Sequence, residues 1–391
     1  MLQPCYDLPT VTSRKPSQTP EELLLRAALC RLDEAIEAWR QLELDGLDRL
    51  GPDAMRLVPL LYRNLEATGV DHPWLARGAT LTRRNAFAMD LLFREIEALV
   101  TELNLEGVES MLLKGAALAL AYYPSPELRP MQDFDLLVSR RDVLHAVAVI
   151  GRKGWHAQKT PTEATLRSHH GLEIKGRSHA CDLHWAWMWE ELGRPDEDLY
   201  ADAVTIPVRN ATVRAPSPHH QLLHVVVHGS KSIEGPSVRW VADAAMILTQ
   251  SGSRLDWSRF ENAVERRQLG FPVWDALQYL HDVTGILIPG EILDRAGSVV
   301  ATSLQRKVYS IRPDSRIEGD PMTFLPTLWY KAKLLGGREG TGGRSSWLIE
   351  GLKETWQVDR TWKLPFVFAR RGARKIGQIV GSRKQTVESE T

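Results

Sequence analysis

From Leu23 to Leu44 the chain carries Leu, Ala, Ile and Trp at helical spacing. Just ahead, Thr19-Pro20-Glu21-Glu22 has the form of a helix start: a capping threonine, proline at the first helical position and acids in the first turn. Val58 to Leu65 and Trp74 to Leu103 repeat the amphipathic period, so residues 20–103 are expected to form a helical region. The period then shortens. Val108 to Leu113 and Gln132 to Val138 read as strands, and Asp142 to Gly151 as a helix ending near glycine. Gly154-Trp155-His156 opens a further strand, His170 to Lys175 another, and His179 to Trp185 the last clear one. Residues 104–215 are therefore expected to be an α/β core around a mixed sheet. After Pro216-Ser217-Pro218 helices return, with Ser217 placed as a cap and Pro218 at the first position. His219 to His228, Val238 to Thr249, Asp256 to Gln268, Phe271 to Thr284 and the segment from Glu291 onward carry this pattern, giving a helical domain over 216–335. The expected class is α+β, a small mixed sheet flanked by N-terminal and C-terminal helical regions. Residues 1–19 read as a flexible arm, and residues 336–391 as a loop and a partly flexible basic tail.

Composition narrows this picture only in places. A chain of 391 residues exceeds the size at which one core stops growing, so two or more domains are expected. Lys plus Arg equals Asp plus Glu, at 49 each, so global charge gives no pull toward nucleic acid or a membrane. Three widely separated cysteines, Cys5, Cys30 and Cys181, form no CxxC pair. A disulfide framework or structural zinc–cysteine site is not expected, and a reducing cytoplasm fits. No signal-peptide core and no apolar run of membrane-spanning length is present. Thirteen dispersed tryptophans read as packing residues.

The chemistry concentrates between Met111 and Val138. An apolar run ends in Lys114-Gly115, a short Ala/Leu-rich helix follows, and a Pro-rich loop leads through Arg129 to Asp133-Phe134-Asp135. Side chains two apart on a strand share a face, so Asp133 and Asp135 project together, opposite Phe134. Adjacent carboxylates repel unless a cation lies between them, and hard oxygen donors suit Mg²⁺ or Mn²⁺. An isolated Asp-x-Asp is more often a solvated strand face. The ordered strand, glycine turn, helix and basic residue around it set this one apart. Asp182 and His184 share a face of a second strand, with Cys181 and Leu183 on the other. His224 and His228, four apart, are a possible metal pair, though buried histidines are more often packing residues. Arg239 and Asp243, four apart, read as an intrahelical or interhelical ion pair ahead of a catalytic role. Trp185, Trp187 and Trp189 alternate on one face, where packing is the first reading.

The order Lys114-Gly115, Arg129, Asp133-Phe134-Asp135, Asp182-Leu183-His184-Trp185 resembles the polymerase-β-type nucleotidyltransferase superfamily. Within it the chain is most similar to bacterial uncharacterised nucleotidyltransferase family proteins. His224-x3-His228, Arg239-Trp240-x2-Asp243 and Asp256-Trp257 extend the resemblance over most of residues 20–290. The resemblance implies a nucleotidyltransferase core that uses a nucleoside triphosphate such as ATP and two divalent ions, Mg²⁺ or Mn²⁺. Asp133, Asp135 and Asp182 are the implied metal and catalytic ligands. Lys114, Gly115 and Arg129 are the implied nucleotide-binding residues. A nucleoside monophosphate would pass to an acceptor while pyrophosphate leaves. The superfamily's Gly-Ser turn is here Gly115-Ala116, so the serine hydroxyl is absent and Lys114 is the available substitute. Lys114 and Arg129 read equally well as ion pairs that neutralise the acidic cluster.

The acceptor class stays open between a small molecule, peptide or sugar intermediate, RNA as in toxin-like relatives, and a non-catalytic binding module on the same fold. An RNA substrate needs a basic track to the site, and only the C-terminal tail is strongly basic. The even charge balance tilts the reading toward a small acceptor. The chain lacks a GxxxxGK[ST] phosphate loop and a kinase catalytic-loop pattern.

Overall fold

The structure is a computed structural model and describes residues 19–45, 50–192, 196–230, 238–298 and 360–366, with 349, 353 and 358 singly. The expected arm over 1–19 (save Thr19), residues 299–335 of the expected C-terminal helical domain, the loop at Gly336 to Ser346 and the basic tail beyond residue 366 lie outside the described residues. The chain opens with helices α1 (Pro20–Leu29), α2 (Leu32–Asp45), α3 (Val58–Thr68) and the long α4 (Trp74–Leu105). Thr19 caps α1 by accepting the Glu22 amide at 3.3 Å, with Pro20 in the first turn. Strand β1 (Ser110–Leu113), α5 (Lys114–Ala121), β2 (Asp133–Val138), α6 (Val143–Arg152), β3 (His156–Ala157), α7 (Glu163–Ser168), β4 (Gly171–Lys175) and β5 (Ala180–His184) follow. Next come α8 (Glu197–Ala201), β6 (Val204–Val208) and β7 (Ala211–Ala215). The described helices that close the chain are α9 (Pro218–Gly229), α10 (Arg239–Ser251), α11 (Trp257–Arg267), α12 (Gly270–Thr284) and α13 (Gly290–Ser298).

The strands form one mixed sheet of order β3-β4-β5-β2-β1-β7-β6. The β2–β5 and β1–β7 pairs are parallel, and the others antiparallel. Alternation divides the central strands between two cores. Leu112, Phe134, Leu136, Val138, Cys181 and Leu183 pack in one core with Phe93, Ile96 and Val100 of α4 and Val149 and Ile150 of α6. Met111, Leu113 and Leu137 join the other, which also holds Leu24 and Leu61 from the N-terminal helices and Leu222, Val226, Ala242 and Leu277 from the C-terminal ones. The two helical regions therefore meet in one core over the face to which Asp135 belongs.

Besides the short helices α7 and α8, which carry no expected pattern, the strands depart from the sequence expectation in two places. The β6–β7 hairpin was not among the expected strands, because its turn is Arg209-Asn210 and lacks glycine. Arg209 takes a positive φ of 55°. Glu97 of α4 holds the turn, accepting from the Asn210 amide at 3.0 Å and from Arg209 Nε at 3.0 Å. The Trp185-Trp187-Trp189 alternation also fails, because β5 ends at His184. Trp185 belongs to the core under α4 and α6, whereas Trp187 and Trp189 belong to the helical core.

Candidate active site

Strand β1 turns into α5 at Lys114, whose φ of 44° lies in the left-handed region that costs a lysine roughly 1–2 kcal/mol. The strained residue of this corner is thus the lysine and not Gly115. Glycine is required next to it for another reason: a Cβ on Gly115 would stand 2.4 Å from Arg129 Nη1 and 3.3 Å from the Met131 sulfur. Arg129 is tethered where it stands. Its Nε and Nη2 donate to Asp243 Oδ1 and Oδ2 at 2.7 and 2.8 Å, and Tyr123 Oη donates to the same Oδ1 at 2.7 Å. Burial works against the Arg129 charge, but the Asp243 carboxylate outweighs it and raises the guanidinium's pKa. Gly115→Ala is therefore expected to destabilise the fold by about 1–3 kcal/mol through overpacking, read as a lower urea midpoint. An unchanged midpoint would mean that the Arg129 fork yields.

The carboxylates come from neighbouring parallel strands. Asp135 of β2 lies directly beside Asp182 of β5 in the register, and Asp133 beside Ala180. Asp133 and Asp135, two apart on β2, and Asp182 all line one cleft. Asp135 Oδ1 accepts from Lys114 Nζ at 2.6 Å and meets His184 Nε2 at 2.9 Å. Ligating atoms of Asp135, Asp182 and His184 lie within 4.8 Å of one another. Asp133, at the exposed start of its strand, stands at the rim.

The two inner carboxyls are driven apart in acidity. Burial would raise Asp135, but the Lys114 ammonium and the His184 contact hold it well below the usual carboxylate range. Asp182 is raised, first by burial and then by the charge of Asp135. The raised Asp182 beside the ionised Asp135 is the arrangement that a divalent cation between two carboxyls would relieve. Oxygen donors this close, beside an open cleft with room for further oxygen ligands, fit Mg²⁺ or Mn²⁺.

The cleft has a volume of about 670 Å³ and is lined by Lys114, Gly115, Arg129 and the three aspartates on the sheet side. His224, His228, Arg239, Trp240 and Asp243 line it from α9 and α10. A sequence model of the family described as "Uncharacterised nucleotidyltransferase" matches residues 53–285. The chain belongs to this family.

No curated protein matches the sequence of this nucleotidyltransferase. Among solved structures, the chain is similar to the antibiotic-resistance factor ANT(2'')-Ia in its solution structure, with 15% identity and a TM-score of 0.34. That match covers 49% of this chain and 97% of the other.

The helical wall of the nucleotidyltransferase cleft adds residues that the sequence reading gave other roles. Of the intrahelical and interhelical alternatives for Arg239 and Asp243, the residues pair outside their own helix: Asp243 holds Arg129, and Arg239 Nε lies 3.2 Å from Asp53 Oδ1. Burial and then the nearby Arg129 charge lower the Arg239 pKa, against the pull of Asp53, where the guanidinium borders the cleft. His224 is buried, its ring centroid 5.4 Å from that of Trp187 and 6.0 Å from that of His228. Gly229 lets α9 and α10 close together, since a Cβ there would meet the Trp240 side chain at 2.1 Å. Asp256 caps α11 through the Arg259 amide at 3.0 Å, a structural role. Asp53, Tyr123 and Asp243 reach the site from distant segments. Only Asp243 carried a sequence signal, the Arg-Trp-x2-Asp pattern.

Proposed function

We propose that this chain transfers a nucleoside monophosphate from a nucleoside triphosphate to the hydroxyl or phosphate of a small acceptor, using divalent cations. The observation that carries the reading is the Asp135–Asp182 pair, in register on parallel strands at the floor of a cleft with Lys114 at hydrogen-bond distance. Asp133, Asp135 and Asp182 are the residues that would hold Mg²⁺ or Mn²⁺. When bound, these ions supply charge neutralisation on the triphosphate and lower the pKa of an acceptor hydroxyl.

The chain's own residues do the rest. Lys114 stands in for part of the cationic charge on Asp135 and passes to the triphosphate when the site is loaded. Arg129 supports the Gly115 corner from beneath, with two of its nitrogens committed to Asp243. It is thus a positioning residue for the nucleotide-binding turn, and Arg239 is the more available phosphate partner on the opposite wall. Trp240 and the imidazoles of His224 and His228 form the wall that an acceptor would meet. A cleft of about 670 Å³ is in the range of small-ligand sites, which favours a small acceptor over RNA.

The test is a panel of labelled triphosphates with Mg²⁺ or Mn²⁺ and separated small-molecule, protein and RNA fractions of a cell extract. Label in the small-molecule fraction with pyrophosphate release is the expected result. Label in RNA would move the assignment to the toxin-like alternative, and no transfer to any fraction would overturn it. Arg239→Ala is expected to raise the triphosphate KM about 10-fold or more, the worth of one charged hydrogen bond, with a smaller change in kcat. An unchanged KM would remove Arg239 from the phosphate site.

A further inference from the structure

Outside the carboxylate cleft, the end of α8 and the first turn of α9 bring Asp202, His219 and His220 together. One ligating atom of each lies within 4.8 Å of the other two. His219 Nε2 is 3.0 Å from Asp202 Oδ2 and 3.1 Å from Ser217 Oγ. The same hydroxyl is 2.9 Å from His220 Nδ1. Ser217 occupies the N-cap position of α9, but its side chain makes no capping bond and turns to the two imidazoles instead. The cap expected from the sequence is thus replaced by a four-group cluster of two nitrogens and two oxygens.

The surroundings orient this cluster as a ligand set. His220 directs its outer nitrogen, Nε2, to Asp198 Oδ2 at 3.4 Å. A carboxylate on the far nitrogen of His220 puts the proton there and leaves the Nδ1 lone pair inward, the usual support of a metal-binding histidine, whereas His219 would release its Nε2 proton, now shared with Asp202, when an ion binds. Asp198 is itself anchored by Arg267 Nη2 at 3.0 Å. Arg259 holds Asp202 through Oδ1, which leaves Oδ2 on the cluster side. Both rings are buried, at 4% and 1% exposure, while Asp202 keeps an opening to solvent through which an ion can enter.

We propose that Asp202, His219 and His220, with the Ser217 hydroxyl or a water as fourth donor, form a structural metal site of zinc class that ties α8 to α9. Two imidazoles, a carboxylate and a hydroxyl suit a four-coordinate borderline cation and not Mg²⁺, which prefers an all-oxygen octahedron. The site lies at the start of the helix that carries His224 and His228 to the catalytic cleft. Trp187 links the two regions, with ring centroids 5.6 Å from His220 and 5.4 Å from His224. An ion here would fix the helix that forms the cleft wall without touching the reacting groups.

The test uses the full chain stripped of metal, in the Asp135→Asn/Asp182→Asn background so that the carboxylate cleft does not contribute. Co²⁺ is expected to bind at one equivalent with the visible absorption of a four-coordinate nitrogen–oxygen site, and Zn²⁺ to displace it. His220→Ala and Asp202→Asn each remove a proposed ligand and are expected to weaken Zn²⁺ binding by at least the roughly 10–100-fold that loss of an outer-shell partner costs. X-ray absorption of the zinc-loaded wild-type chain is expected to show two imidazole ligands, a readout that needs no variant to fold. Absence of the cobalt spectrum, binding that persists in His220→Ala, or a zinc spectrum with fewer than two imidazoles would each overturn the proposal and leave a hydrogen-bonded network only.

Discussion

Asp135→Asn is expected to lower the rate of nucleotidyl transfer by about 10³-fold or more, because it removes charge from the centre of the proposed metal-binding pair, where cation stabilisation would be worth several kcal/mol. The substitution is isosteric. It keeps an oxygen that can accept from Lys114 Nζ, now at 2.6 Å, and from His184 Nε2, now at 2.9 Å. The fold is therefore expected to survive, and a thermal melt alongside the single-turnover rate separates lost chemistry from lost structure. Full activity in a folded Asp135→Asn protein would remove the carboxylate pair from the mechanism.

Asp243→Ala is expected to cost about 3–5 kcal/mol of stability, since it strands the Arg129 guanidinium in the interior without its counter-charge. Arg129 and Asp243 are 8% and 5% exposed, so solvent screens little of this loss. Tyr123, whose hydroxyl burial and then Asp243 push well above its ordinary pKa, loses its acceptor in the same step. Urea denaturation measures the change. The paired replacement Arg129→Met with Asp243→Leu removes both charges and is expected to recover much of the stability. It is not expected to recover transfer, because the fork that supports Gly115 is gone. Equal stability of Asp243→Ala and wild type would show that the pair is no buried anchor.

How far the sequence could reach follows from where each constraint sits. The alternation Asp133-Phe134-Asp135 is local, so it told which side chains share a face, and Phe134 is indeed in the core opposite Asp135. That Asp182 stands directly beside Asp135 depends on strand register, which the two strands set only when paired. The motif order pointed to the pairing through resemblance and not through spacing. The Arg129–Asp243 fork joins residues 114 positions apart and has no local signature. Gly115 was legible as a special position, yet its cause was not: the conflict is with a side chain delivered from Arg129, while the left-handed backbone belongs to Lys114. Ser217 was placed correctly at a helix start, but its hydroxyl is committed to His219 and His220, a competition that propensity does not register.

A divalent cation held by Asp135 and Asp182 is the centre of the proposed mechanism. Anomalous scattering from crystals of the protein grown with Mn²⁺ and a non-hydrolysable triphosphate tests this directly. The expected result is a manganese peak at the Asp135 and Asp182 carboxylates, with Lys114 Nζ withdrawn from Asp135 toward the phosphates. A peak elsewhere, or Lys114 still seated on Asp135 beside a bound triphosphate with no metal between the strands, would contradict it.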